Sequence, residues 1–335
     1  MGEFDLIERY FKAPARAMRP NDNVALGIGD DCALLQPTAG MQLAISSDML
    51  VEGRHFFADV DPFTLGHKAL AVNLSDLAAC GAKPLAFTLA LALPEANEAW
   101  LAPFSRGLLA LAAEHNCALI GGDTTKGPLN ICITVFGEVP QKQALLRSGA
   151  QVGDDIYVSG TLGDARLALE AMRGTLTLST EAFTSAKTRL EMPSPRVSLG
   201  MALRGIASCA IDVSDGLLGD LGHILKQSRV GAVIDTSLAK NLIAINLVAV
   251  QAENTLAAGQ FSHELQLKYI LSGGDDYELA FTAPVHLRDA VQAAALASNT
   301  PVTRIGQIEA ALGLRLIDDQ GKPVKSSFES WDHFQ

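Results

Sequence analysis

Apolar runs with the two-residue period of a strand alternate along the chain with runs of helical period. Leu43–Ser47 (LAISS) reads as a strand that ends at Asp48. Leu85–Leu93 (LAFTLALAL), bracketed by Pro84 and Pro94, reads as a buried strand, and Ile131–Val139 as a third. Between them, Thr64–Cys80 puts Leu70, Leu74 and Leu77 on one helical face, and Trp100–His115 predicts a second helix. Pro140–Gly153 is polar and poor in strand formers, and it marks a boundary between a domain over 1–140 and another over 150–335. The second half opens with a strand at Asp155–Ser159, a turn at Gly160–Gly163 and a helix at Asp164–Met172. Glu191–Arg196 is a connection punctuated by proline. Ala210–Val213 is a short strand that delivers Ser214 and Asp215 to a helix running to about Gln227. Further strands fall at Ala232–Asp235, Glu278–Thr282, Val302–Ile308 and Leu312–Ile317. Strands alternating with helices in both halves predict an α/β or α+β fold of two layered domains.

Composition narrows what such a fold can bind. The chain has 335 residues, is 48% hydrophobic, and carries a formal net charge of -11. The length and apolar content suit two cores, and the acidic balance argues against nucleic acid or a membrane surface as partner. Five cysteines are scattered with no CxxC pair, which reads as thiols in a reducing compartment. The N-terminus MGEFDLIERYF lacks the basic start and apolar core of a secretory signal, and no apolar run approaches the ~20 residues of a membrane span. These features predict a cytoplasmic location.

The candidate chemistry lies in where the aspartates fall. Asp30 and Asp31 follow Gly27-Ile-Gly29; Asp123 follows Gly121-Gly122; Asp275 and Asp276 follow Gly273-Gly274. Asp48 closes one strand, and Asp212 and Asp215 flank the end of another. Glycine beside aspartate permits close backbone approach to a ligand, and strand ends gather ligand-binding loops. Taken singly, each is as well explained by turn or helix-cap duty. Asp76 differs, because it stands inside a predicted helix among apolar neighbours, on the same face as Asn73. A carboxylate buried there needs a cation or hydrogen-bond donors, and a metal is the stronger reading. Several carboxylates meeting in one site favour magnesium, which takes hard oxygen ligands and shares them with substrate phosphates. That chemistry is phosphoryl transfer, which needs charge neutralisation and positioning more than covalent help.

Three other residues are candidates with plainer alternatives. Arg147 suits a phosphate clamp or a solvated loop; His55 suits a substrate ligand or general base, or a packed loop; Trp331 suits stacking on a flat ring or anchoring of the tail. The familiar nucleotide signatures are absent. Gly121-Gly-Asp-Thr-Thr-Lys126 has the wrong spacing for a P-loop, and Gly27-Ile-Gly29 lacks the third glycine of a dinucleotide fingerprint. Gly160-Thr-Leu-Gly163 before a helix can hold an anion, although a strand-to-helix turn explains it as well.

Seven segments together resemble the thiamine-monophosphate kinase family. They are Gly27-Ile-Gly-Asp-Asp-Cys-Ala33, Ser46-Ser-Asp-Met-Leu-Val-Glu-Gly-Arg-His-Phe56, Ala71-Val-Asn-Leu-Ser-Asp-Leu-Ala-Ala-Cys-Gly-Ala82, Leu119-Ile-Gly-Gly-Asp-Thr-Thr125, Ile211-Asp-Val-Ser-Asp-Gly-Leu217, Ser272-Gly-Gly-Asp-Asp-Tyr-Glu-Leu279 and Trp331-Asp-His-Phe334. They span nearly the whole chain in the family's order. The resemblance implies the aminoimidazole ribonucleotide synthetase-like fold, with an N-terminal domain that dimerises through its sheet to give a homodimer. It implies ATP-dependent conversion of thiamine monophosphate to thiamine diphosphate by direct transfer in a site holding several Mg2+ ions.

Carried over by position, Asp30, Ser46, Ser47, Asp48, Asp76, Asp123, Asp212 and Asp215 resemble the magnesium ligands. Gly121, Gly122, Asp123, Arg147 and Ser214 resemble the ATP phosphate site, and His55, Asp275 and Trp331 the substrate contacts. Asp48, Asp123 and Arg147 would then act directly on the transfer. The family usually has Glu at the position of Asp275, so the contact there is one methylene shorter. A sister enzyme, selenophosphate synthetase, fits less well, because it uses a reactive N-terminal Cys or selenocysteine and the first cysteine here is Cys32.

Overall fold

The computed structural model of the chain describes residues 2–18, 21–243 and 263–324. The chain divides into two compact units, Met1–Leu77 with Ala82–Ala144, and Ala78–Gly81 with Leu145–Gln335.

The first unit begins with a helical run: α1 (Glu3–Ile7), a π-helical stretch Glu8–Lys12, and α2 (Ala13–Arg16). A small antiparallel pair, β1 (Val24–Leu26) and β2 (Leu34–Leu35), follows. Then come β3 (Met41–Val51), α3 (Pro62–Ala79), β4 (Lys83–Leu93), α4 (Glu98–Glu114), β5 (Ala118–Lys126) and β6 (Asn130–Pro140). The four long strands form one sheet in the order β3-β6-β4-β5, parallel only between β4 and β5. One face is apolar and buried, with Phe87, Leu89 and Leu91 of β4 and Ile131, Ile133 and Val135 of β6. Buried leucines of α3 and α4 complete this core. The two helices cross backbone to backbone: a Cβ on Gly66 would stand 2.1 Å from the Phe104 carbonyl oxygen, and one on Gly107 1.9 Å from that of Phe63. On the other face Val24, Ala33 and Leu35 pack against Ala86 and Ile120, and the part along β3 stays open, with Ile45 60% and Met49 51% exposed.

Two strands run further than their apolar runs predict. β3 does not end at Asp48: its ladder with β6 is unbroken from Met41↔Pro140 to Val51↔Asn130, so Asp48 lies within it. β5 likewise continues past the apolar run Ala118–Ile120 through Gly121, Gly122 and Asp123 to Lys126, paired in parallel with β4. Backbone hydrogen bonds to a regular neighbour extend a strand whatever side chains it carries.

The second unit contains β7 (Asp155–Ser159), α5 (Asp164–Met172), α6 (Thr180–Glu191), α7 (Val197–Ala202), β8 (Cys209–Val213) and α8 (Leu217–Ser228). It continues with β9 (Gly231–Asp235), α9 (Thr236–Ala239), α10 (His263–Ser272), β10 (Glu278–Ala283), α11 (Arg288–Ala297), β11 (Val302–Glu309) and β12 (Gly313–Ile317). Its six-stranded sheet runs β12-β9-β11-β7-β10-β8, antiparallel except for the β12–β9 pair. The three neighbouring strands β7, β10 and β8, at one end of that order, are buried at every position. Helices α6, α7, α9, α10 and α11 have no counterpart among the predicted elements. In α6 (TEAFTSAKTRLE) the apolar stripe is only Ala182, Ala186 and Leu190, and the helix starts where the Ser179 hydroxyl accepts the Ala182 N–H at 3.2 Å.

Candidate active site

In the first unit, three sequence-predicted residues meet on the buried side of the sheet edge. Ser46 and Asp48 alternate with outward-facing residues of β3, so both turn toward α3. The Ser46 hydroxyl donates to Asp76 Oδ2, and the Asp48 N–H donates to Asn73 Oδ1 at 3.0 Å. Asn73 is fully buried and its amide donates to the Ala69 carbonyl at 3.0 Å, one helical turn earlier. Thus Asp76 stands beside a strand hydroxyl, half-exposed at the edge of the core. The mid-helix aspartate that looked anomalous in the sequence is part of a strand–helix oxygen cluster.

Ser47 points to the opposite, open face, where its hydroxyl lies 3.0 Å from Thr134 Oγ1. Asp30 is exposed in the Gly27–Asp31 loop, where Ile28 and Asp30 form a bridge. His55 sits in a tight loop closing β3: its Nδ1 accepts the Val51 N–H at 3.0 Å, which assigns the ring proton to Nε2.

Asp123 is not with Asp48. The register sets Asp123 level with Ala90, Cys132 and Met49, one residue off the row of Asp48, Ile133 and Leu89. The two aspartates lie on opposite edges of the sheet, three strand spacings or about 14 Å apart. The close approach beside Asp123 is real: Gly122 has φ 147°, and a Cβ there would stand 1.8 Å from the Leu89 carbonyl oxygen. Only glycine fits.

In the second unit, three loops gather at one end of the sheet, because β7 and β8 leave it there and the antiparallel β10 enters there. Asp212 is buried in β8, and Ser214 and Asp215 follow it half-buried. The Asp275 N–H donates to the Ser214 carbonyl at 2.8 Å, and the Tyr277 N–H to that of Val213 at 2.9 Å. Asp275 and Tyr277 both hold left-handed backbone, φ 66° and 51°, which the cross-loop bonds maintain. The Tyr277 hydroxyl donates to Asp275 Oδ1 at 3.4 Å.

The turn of Gly160–Gly163 is closed by the protein's own carboxylate. Gly163 N–H donates to Asp276 Oδ2 at 2.9 Å and Ala165 N–H to Oδ1 at 3.5 Å, so the N-terminus of α5 already holds an anion-like partner. Burial pushes the Asp276 carboxyl well above its ordinary range, opposed by those two N–H groups and by Arg189. Asp220, in the first turn of α8, accepts the N–H groups of Ser214, Asp215 and Gly216, each at 3.1 Å. Burial, then the Asp215 charge, push its pKa up to about 7. Sequence reading missed Asp220; the signal for it was an aspartate in the first turn of a helix that follows a Ser-Asp-Gly turn.

Below these loops, Glu278 is fully buried between Arg189 (2.7 Å) and Arg196 (2.6 Å to Nε), and it accepts the Ser159 hydroxyl at 2.6 Å. This cluster ties β7, β10, α6 and the Glu191–Arg196 connection. Arg147 is exposed, and its guanidinium has no hydrogen bond or ion pair among the described residues. Trp331 lies outside the described residues.

Among the described residues, no three His, Cys, Asp or Glu side chains stand close enough to hold a metal by themselves. The expected convergence of many carboxylates is therefore not found among the described residues of either unit. The donor set nevertheless suits magnesium. It consists of hard oxygens, one or two carboxylates at a time with a neighbouring hydroxyl, as for an ion whose other ligands are water and phosphate.

Comparison with known proteins gives this arrangement a class. Residues 29–139 match the N-terminal domain, and residues 151–319 the C-terminal domain, of AIR synthase related proteins. The chain belongs to that group, whose fold recurs at 20% identity and TM-score 0.76 in the hydrogenase maturation protein HypE. It is 47% identical over 336 residues to the thiamine-monophosphate kinase of Escherichia coli (strain K12), covering 99% of this chain and 98% of the relative. Identity to that of Haemophilus influenzae is 42%, covering 100% and 98%. The solved thiamine-monophosphate kinase from Stenotrophomonas maltophilia K279a superposes with TM-score 0.82 at 45% identity, covering 97% and 98%. AaThiL complexed with AMPPCP and TMP superposes with TM-score 0.72 at 27% identity, covering 99% and 97%. Within the larger group, this chain is a member of the thiamine-monophosphate kinase family.

Proposed function

We propose that the protein transfers the γ-phosphoryl group of ATP to the phosphate of thiamine monophosphate, giving ADP and thiamine diphosphate. The observation that carries this reading is the likeness over nearly the full length to thiamine-monophosphate kinases, 47% identical in the Escherichia coli case. A relative of the same fold has been solved with AMPPCP and TMP together.

The acceptor is a phosphate oxygen, anionic at neutral pH, so no strong general base is required. The barrier is repulsion between two polyphosphate groups, which positioned cations and donors relieve. Ser46, Asp48 and Asp76 form one candidate Mg2+ site; Asp212 and Asp215 form another, with Asp30, Ser47 and Asp123 as further ligands. Magnesium in these sites would neutralise the phosphate oxygens and hold them in line. Arg147, whose guanidinium has no side-chain partner among the described residues, would clamp a phosphate bidentately. The Gly121-Gly122 backbone and Ser214 approach the ATP phosphates. Asp275, with Tyr277 beside it, and His55 through Nε2 orient thiamine monophosphate, and Trp331 stacks on its pyrimidine.

A homodimer completes this reading. Asp48 and Asp123 stand about 14 Å apart on opposite edges of one sheet, so a site holding both would draw β3 from one copy and β5 from another. The open face with Leu43, Ile45 and Met49 supplies an apolar surface for a second copy. The five free thiols and acidic surface suit the cytoplasm. No described helix is long and apolar enough to cross a membrane.

ADP release is the decisive measurement. Turnover with thiamine monophosphate, abolished when magnesium is omitted, is expected. Absence of turnover with this substrate but turnover with another phosphate ester would refute it.

A further inference from the structure

Three consecutive backbone N–H groups pointing at one place make a nest for an anion, and phosphate is the usual guest at such a turn. The turn that leaves β8 has this form. Ser214, Asp215 and Gly216 aim their N–H groups at a single atom, Asp220 Oδ2, each at 3.1 Å. Asp220 is 4% exposed, so its carboxylate is a fixed internal guest. Gly216 holds φ 115°, and a Cβ there would stand 2.9 Å from the Ser272 carbonyl carbon, so this corner of the turn takes glycine.

The consequence is chemical. With its N–H groups already occupied, this turn cannot grip a phosphate through its backbone. It can act only through what it presents, the Ser214 hydroxyl and the Asp215 carboxylate. The direction of both follows from the backbone that Asp220 holds. The same backbone also sets the neighbouring loop, because the Ser214 carbonyl accepts the Asp275 N–H at 2.8 Å and keeps Asp275 in its left-handed conformation. One buried carboxylate therefore braces two loops that carry candidate nucleotide, metal and substrate groups.

We propose that Asp220 is a positioning residue for the phosphoryl transfer, acting through the Ser214–Gly216 backbone and not through contact with substrate. This inference rests on the activity proposed above.

The test compares wild type with Asp220→Asn and Asp220→Ala in the full-length protein. Asparagine keeps one oxygen for the three N–H groups without the charge; alanine removes the acceptor. A misplacement of about 1 Å at reacting groups costs on the order of 10²-fold, so Asp220→Ala is expected to lose about that much in kcat/KM for ATP. Asp220→Asn is expected to lose about tenfold, the difference between a charged and a neutral acceptor. In both variants the KM for ATP and the magnesium concentration for half-maximal rate rise. Amide exchange of Ser214–Gly216 accelerates. A role in folding alone would lower the active fraction and the melting temperature while leaving KM and the magnesium midpoint unchanged, and that result overturns the proposal. If Asp220→Ala does not fold, Asp220→Asn decides on the same two quantities. A wild-type control without turnover overturns both the activity and this role. Normal wild-type turnover with unshifted variants overturns only the role of Asp220.

Discussion

Asp76 and Asp220 are both aspartates on helices, and their surroundings give them different work. Asp76 faces the Ser46 hydroxyl at a strand edge, half-exposed, with oxygen donors around it. Asp220 is sealed in by three backbone donors and is spent on its own fold. Charge on an exposed oxygen cluster is available to a cation; charge on a saturated one is not. At this scale the sharpest prediction concerns Asp48 and Asp123. Replacing either by asparagine keeps the shape of the side chain but removes a formal charge from the proposed magnesium site. Turnover is expected to fall on the order of 10²–10³-fold or more, with far-UV circular dichroism and melting temperature nearly unchanged. Wild-type rates in both variants would remove these residues from the metal site.

Among the elements, β7 shows how a strand with every side chain buried carries charge. Asp155 is fully buried, yet Arg288 of α11 holds it through two bonds of 2.6 and 2.9 Å, and Arg304 of β11 approaches at 3.4 Å. Burial alone would raise the Asp155 pKa, but the hydrogen bonds and charges of the two arginines prevail and hold it below the ordinary carboxylate value. Because the folded value lies below the unfolded one, this group stabilises the fold above about pH 4, and that contribution is lost as pH falls through the folded pKa. Urea denaturation should therefore show a midpoint that falls as the pH drops below about 4. Asp155→Asn is expected to lower the midpoint at neutral pH and to flatten that fall. An equally steep fall in the variant would assign the acid sensitivity to other carboxylates.

At the scale of the whole molecule, the first unit leaves the β3 side of one sheet face uncovered. Leu43, Ile45 and Met49 are exposed there, 45%, 60% and 51% respectively, on an edge strand whose other side packs on α3. A dimer through this face is expected by analytical ultracentrifugation. Ile45→Lys, which would bury an unpaired charge in that interface, is expected to shift the population to monomer and to cut turnover with it, since the proposed site holding both Asp48 and Asp123 would need two copies. A wild-type monomer that turns over at full rate would overturn the two-copy site.

The sequence by itself determined the long elements, because burial repeats at the period of the backbone. Leu70, Leu74 and Leu77 mark α3, LAFTLALAL marks β4, and β7 and α5 begin and end where their patterns predict. The candidate residues were legible too, since aspartate beside glycine is local chemistry. Only the tertiary structure decided which aspartates meet. The packing of β3 on α3 brings Ser46 to Asp76 and Asp48 to Asn73, whereas Asp48 and Asp123 are held apart by two intervening strands. Strand order and register depend on pairing between residues far apart in the chain, which no local period encodes. The bracing of the Ser214–Gly216 turn by Asp220 was hidden for a related reason: three backbone N–H groups have no signature in a string of side chains.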